Sequence, residues 1–301
     1  LRFLFGIAMG GEWGIGASLV MESIPAGTRG AVSGLLQSGY PCGYFLGALA
    51  YWLVFGVFGF GWRAMFVVGA LPALLVLYLR AKVPESPVWE SRRQAGKPRH
   101  VLHAMRGHWR RLIYMMLLMA AFNMFSHGSQ DMYPTFLKSQ LHLGTGEVTL
   151  LTMLLNAGAI VGGLFFGAWS ERVGRRRAMV VAALLALPCI PLWAFGGSLV
   201  LLGLGAFLIQ VMVQGAWGVV PSYLNEMSPD EVRGTLPGFA YQLGNLLAAS
   251  TAYAQAWLAE AHGGNYAMVM APWMAAVAVL LALLAWLGPE VRGVRFGGGQ
   301  A

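Results

Sequence analysis

Charge is scarce in this sequence. Only 11% of the 301 residues are Asp, Glu, Lys or Arg, where a water-soluble domain carries about 25%, and the mean hydropathy is +0.62. A chain this apolar cannot cover itself with a hydrated surface, so a multi-span membrane protein is expected. Cysteine is nearly absent. Cys42 and Cys189 stand alone within apolar runs, without CxxC or metal-ligand spacing, so both are expected to be buried thiols and no disulfide is expected. A nucleotide-binding loop, a metal motif and a nucleophile motif are also missing, and His100, His103 and His108 lack acidic or cysteine companions. No enzyme activity, cofactor or metal is therefore expected. Acidic residues are outnumbered, 12 against 20 basic, for a net charge of +8. The basic residues fall in short blocks between apolar runs, which fits membrane topology and not a nucleic-acid partner. Leu1 already lies inside an apolar run, without an initiator methionine or signal peptide, so an N-terminal truncation is expected.

What the sequence has is long apolar runs. Nine are of spanning length, at 1–21, 31–55, 62–79, 112–136, 148–169, 178–195, 199–224, 235–258 and 266–287. The polar interval from Arg80 to Arg111 carries nine basic residues, which places it on the cytoplasmic side. Alternating outward from it leaves only Arg2, Arg63 and Lys138 outside or within the membrane and the other seventeen basic residues inside. The count of spans and the orientation thus support each other.

The run 112–136 contains NMFSHGSQDMYPT, from Asn123 to Thr135. As one helix it would place Asn123, Ser126, His127, Gln130, Asp131 and Thr135 on one broad face. An ionisable group at mid-bilayer costs about 2.5 to 3.5 kcal/mol on insertion scales, so this face is expected to look into a polar cavity. Imidazole changes charge near neutral pH, so His127 can neutralise a carboxylate or pass on a proton. Asp131, one turn away, is the expected proton carrier, coupled to an arriving anion through its neighbour. Asn123, Ser126 and Gln130 supply neutral donors and acceptors. The structural alternative is a set of interhelical hydrogen bonds.

An internal repeat organises the rest. Trp13, Gly14, Ser18, Glu22, Pro25, Arg29, Gly30 and Gly34 recur 204 positions later as Trp217, Gly218, Ser222, Glu226, Pro229, Arg233, Gly234 and Gly238. Two homologous halves follow. If the first half matches the second, about 94 residues and three helices precede Leu1.

The chain resembles the major facilitator superfamily of secondary transporters along essentially all of its length. GAWSERVGRRR, Gly167 to Arg177, resembles the signature loop between the second and third helices of a half. RFLFGIAMGGE, Arg2 to Glu12, resembles the fourth-helix pattern, and PESPVW, Pro84 to Trp89, the signature after the sixth helix. NMFSHGSQDMYPT is similar to the seventh helix of fungal lactate permeases and bacterial relatives in the sialate:proton symporter family. The resemblance implies an all-α major facilitator fold with nine visible helices of twelve. Residues 1–80 would hold helices 4–6, 81–110 a cytoplasmic central loop, 111–288 helices 7–12 and 289–301 a cytoplasmic tail. It also implies proton-coupled symport of a short monocarboxylate such as lactate or pyruvate, with Asn123, His127 and Asp131 affecting transport and Arg2 linked to proton coupling.

Other residues stand beside these. Arg2 and Glu12 lie about 15 Å apart along one helix and cannot pair with each other. Arg2 is either a coupling residue or an interfacial anchor, and Glu12 a second proton site or a structural partner. Gln242, with Gln37 and Tyr40 in the other half, is expected to line the cavity and touch substrate. Glu22, Arg29, Glu171, Arg172, Arg175, Glu226 and Arg233 fit an ion network closing an inner gate, against the alternative of a solvated basic loop. The expected partners are a small organic acid, protons and the lipid bilayer of the inner membrane, around a monomer. A larger acid such as sialic, aromatic or dicarboxylic acid, and a substrate sensor that does not transport, are the competing readings.

Overall fold

A computed structural model describes residues 2–86, 88, 90, 107–294 and 296. Every regular element among them is helical. Helix α1 is Arg2–Ser23, and α2 is Arg29–Tyr51 with a π-helical extension, Trp52–Val57. Helix α3, Trp62–Ala70, leads through a 3₁₀ turn into α4, Leu74–Lys82. Then follow α5 Trp109–Gln130, α6 Tyr133–Ser139, α7 Thr145–Val173, α8 Arg175–Ala186, α9 Ile190–Phe195, α10 Leu199–Gly218, α11 Val220–Met227, α12 Leu236–Ala248, α13 Thr251–Ala261 and α14 Tyr266–Leu287. Taken with their short continuations these form nine rods. Six of them, Ala26–Val57, Trp109–Ser139, Thr145–Val173, Arg175–Phe195, Leu199–Met227 and Tyr266–Leu287, are long and apolar enough to cross a membrane.

Proline explains most of the breaks. The carbonyl of Gln130 would need the N–H of residue 134, which is Pro134, so α5 stops at Gln130 and the chain restarts as α6. The span expected over 112–136 is present as Trp109–Ser139, but it is interrupted at Asp131 and Met132, and Thr135 belongs to a second, short helix. Pro188 and Pro221 divide α8 from α9 and α10 from α11 in the same way. Side chains finish other ends: Asn265 accepts from Met268 N at 3.2 Å to start α14.

The buried core lies in the later helices, where Met115, Phe122, Phe125, Tyr133, Trp193, Tyr223 and Met274 interlock. Helices α3 and α4 and the outer part of α2 instead turn Leu46, Phe66 and Leu75 outward, surfaces suited to hydrocarbon. Cys42, expected to be buried, is exposed on this part of α2, whereas Cys189 is buried as expected. The two groups of helices, α1–α4 and α5–α14, meet where α2 packs on α7 and α1 on α12. Glycine permits that approach: a Cβ on Gly14 would lie 2.7 Å from the Cα of Gly238, and one on Gly167 2.8 Å from the Cα of Gly34.

Candidate functional site

The polar stretch of α5 divides into a packed part and an open part. Asn123 is 1% exposed and donates to the Met119 carbonyl of its own helix at 2.9 Å. Ser126 is also buried and accepts from Gln214 Nε2 of α10 at 3.1 Å. These two side chains are engaged in packing and helix-to-helix bonding. One turn on, His127 Nδ1 lies 3.0 Å from Asp131 Oδ2, and each of these side chains is 36% exposed. Gln130 Nε2 donates at 3.3 Å to the hydroxyl of Tyr40 on α2, which shares a hydrogen bond of 3.1 Å with Tyr44.

Tyr40 and Tyr44 also line a cavity of about 900 Å³. Glu12 and Trp13 of α1, Gln37 of α2 and Tyr241 of α12 contribute to its wall. Trp13 and Tyr241 rings stand 4.8 Å apart between centroids. The lining thus joins both groups of helices, with aromatic faces, phenols, an amide and one carboxylate. The sequence places Gln37 and Tyr40 here; Glu12, read as a proton site or a structural partner, joins them, and Trp13, Tyr44 and Tyr241 were not legible as cavity residues. Gln242 is half-buried at the α1–α12 contact, where a Cβ on Gly10 would be 3.6 Å from its Cγ. Arg2 starts α1, but its side chain lies outside the described residues, as do His100 and His103.

Behind α5, buried amides hold its C-terminal end. Gln210 Nε2 donates to Ser129 Oγ at 3.0 Å and Gln255 Nε2 to the Gly128 carbonyl at 3.1 Å. Both glutamines are fully buried. Sequence reading missed them, although Gln210 and Gln214, four apart in an otherwise apolar helix, carried a signal.

At the opposite end of the bundle a buried ion network joins both groups of helices. Arg175 Nε lies 2.9 Å and Nη2 3.1 Å from the two oxygens of Glu226, a bidentate pair, and Nη2 is 3.0 Å from Glu171. Arg29 Nη1 reaches Glu226 at 3.8 Å, and Arg233 Nη1 reaches Glu22 at 3.4 Å. Arg233 also pairs with Asp230, Glu171 accepts from the Gly30 N–H, and Ser86 donates to Glu22. Six of the seven residues expected in this network meet; Arg172 does not, since its side chain is exposed and only its carbonyl is used, by Arg292 at 2.6 Å.

The tail closes over this network. Glu290 accepts from the N–H groups of Arg175 at 2.9 Å and Arg176 at 3.2 Å, capping the start of α8. Phe296 lies between two guanidiniums, with the Cζ of Arg29 3.4 Å and that of Arg233 3.7 Å from its ring centroid.

Residues 112–291 match the family described as Sugar (and other) transporter, and residues 1–130 match Major Facilitator Superfamily. A carboxylic acid transporter protein homolog of Saccharomyces cerevisiae is 30% identical over 286 residues, covering 86% of this chain and 46% of that protein. A probable 4-methylmuconolactone transporter of Cupriavidus pinatubonensis is 29% identical over 261 residues, covering 83% and 59%. The chain thus spans about half the length of these relatives. The solved structure of the proton:xylose symporter XylE with bound 6-bromo-6-deoxy-D-glucose has a TM-score of 0.71 at 22% identity, covering 92% of this chain and 68% of that one. That likeness is one of fold.

Proposed function

The chain belongs to the major facilitator superfamily, a multi-pass membrane transporter family and not a family of enzymes, and we propose that it serves proton-coupled symport of a short monocarboxylate such as lactate or pyruvate across the inner membrane. The carrying observation is the His127–Asp131 pair, 3.0 Å apart and accessible, beside Gln130, which donates to Tyr40 of the cavity wall. A protonated His127 neutralises the substrate carboxylate, Asp131 exchanges the proton, and Gln130 offers an amide donor without a further desolvated charge. Alternating access comes from one group of helices rocking against the other about the glycine contacts. The inner network of Glu22, Arg29, Glu171, Arg175, Glu226 and Arg233 holds the cytoplasmic side closed while the cavity stands open to the other. The central loop and the tail lie in the cytoplasm on this reading.

Uptake of radiolabelled lactate by cells expressing the protein, with and without a protonophore, tests it beside His127→Ala and Asp131→Asn. Protonophore-sensitive accumulation lost in both variants supports the reading; normal uptake by both removes the pair from the mechanism. A second reading, a larger organic acid, is favoured by the cavity's size and its facing rings of Trp13 and Tyr241. The muconolactone relative agrees with it. Competition of lactate uptake by aromatic and dicarboxylic acids separates the two.

A further inference from the structure

We infer that Gln255 is a positioning residue for the His127–Asp131 pair: its amide, acting through the Gly128 carbonyl, fixes the last turn of α5 so that both side chains stay on the open side of the helix. The placement stands on geometry, and its bearing on transport rests on the symport reading above.

The last turn of a helix has carbonyls without backbone donors, and in α5 the interruption at Asp131 and Met132 leaves that turn without a helix continuing directly from it. The Asp131 N–H serves the His127 carbonyl at 3.1 Å. The next carbonyl, that of Gly128, is served by a side chain instead, Gln255 Nε2 of α13 at 3.1 Å. Gln255 is fully buried, and among the described residues its Oε1 has no hydrogen-bond partner. The bond this amide makes is to α5.

Gly128 lets its neighbours come that close. A Cβ there would lie 3.0 Å from Trp273 Cδ1 of α14 and 3.4 Å from Gln255 Nε2, so the backbone itself is the contact surface. From α10, Gln210 bonds Ser129 and Gln214 bonds Ser126. Successive helical residues stand about 100° apart, so the bonds at 126, 128 and 129 lie on the two flanks and the back of a turn whose front carries His127, Gln130 and Asp131. His127 and Asp131 are each 36% exposed there. Two of the three bonds end on serine hydroxyls, which move with their own side chains, and only Gln255 holds the main chain. It therefore sets the rotation of the turn. Without it the turn can rotate about the helix axis, and either direction carries His127 from the front toward a packed flank.

The test begins with a readout that needs no substrate. In a Cys42→Ser, Cys189→Ser background, His127→Cys is labelled in membranes by a small methanethiosulfonate reagent, and adding Gln255→Leu should slow that labelling several-fold. Gln255→His, which restores an N–H at similar reach, should return the rate. A merely structural loss loosens the bundle and speeds labelling, so an unchanged or faster rate in Gln255→Leu overturns the inference, as does a Gln255→His variant no different from Gln255→Leu. With His127 in place, Gln255→Leu should raise the KM for radiolabelled lactate about tenfold and leave kcat within about twofold, the pattern of a lost uniform binding interaction. A lowered kcat at unchanged KM overturns the bearing on substrate. Slowed labelling together with no carboxylate uptake by the correctly inserted wild type overturns the symport reading and supports the placement by Gln255.

Discussion

Arg233 Nη1 stands 3.4 Å from Glu22 Oε1, joining the second copy of the repeat to the first. The converse pair, Arg29 with Glu226, is 3.8 Å apart. The 204-residue offset carries Glu22 to Glu226 and Arg29 to Arg233, so the two pairs are counterparts and each half gives the other one guanidinium and one carboxylate. The arginines are held alike: Arg29 Nε donates to the Met21 carbonyl at 3.0 Å and Arg233 Nε to the Asn225 carbonyl at 3.1 Å, again equivalent positions. A repeat in sequence has become a reciprocal clamp in space.

Neutralising that clamp should open it. In a Cys42→Ser, Cys189→Ser background, a cysteine replacing buried Ser33, whose Oγ accepts from Ser222 N at 3.1 Å, is expected to be protected from a permeant maleimide. Adding Glu22→Gln and Glu226→Gln should raise the labelling rate several-fold. Unchanged protection would assign the closure of this end of the bundle to the glycine contacts alone.

Arg175 carries the largest expected stability effect. Its guanidinium is fully buried between Glu226 and Glu171, and removing one partner of a buried ion pair costs about 3–5 kcal/mol because the remaining charge is left uncompensated. Arg175→Ala should lower the unfolding midpoint in detergent markedly. Combining Arg175→Met with Glu226→Gln should recover much of the loss, and failure to recover would point to packing instead of charge.

Ser126 tests the division of the α5 stretch. Its hydroxyl accepts from Gln214, so Ser126→Ala should cost stability, about 0.6 to 1.7 kcal/mol by analogy with interhelical bonds in membranes. The KM for lactate should stay within about twofold, since a partner lost to packing is a modest, uniform change. A rise in KM of tenfold or more would return Ser126 to the substrate.

The tail offers a fourth check. Gly174 has φ +99°, a region that L side chains rarely adopt, and a Cβ there would stand 2.5 Å from Glu290 Oε2. Gly174→Ala is therefore expected to destabilise by more than 1 kcal/mol, and Glu290→Ala by about 1 kcal/mol through the lost cap on α8. Thermal unfolding measures both. Equal midpoints for wild type and Glu290→Ala would mean the cap contributes nothing.

The sequence by itself determined the class of the molecule. Low charge and long apolar runs pointed to a multi-span membrane protein, and the 204-residue offset announced the two halves. The family motifs agreed, and Glu22, Arg29, Glu171, Arg175, Glu226 and Arg233 were legible as a network because paired glutamates among loop arginines have no other reason to repeat. Tertiary structure decided what one-dimensional periodicity cannot. Six polar residues at helical spacing read as one face, but Pro134 withholds the donor that Gln130 needs, and the helix ends there. The neighbours then divide the remainder, as α10 covers Ser126 and leaves His127 and Asp131 open. Gln255, Trp13 and Tyr241 gained their places only when distant helices brought them to α5 and to the cavity, because a side chain's role follows from what packs against it and not from its own position in the chain.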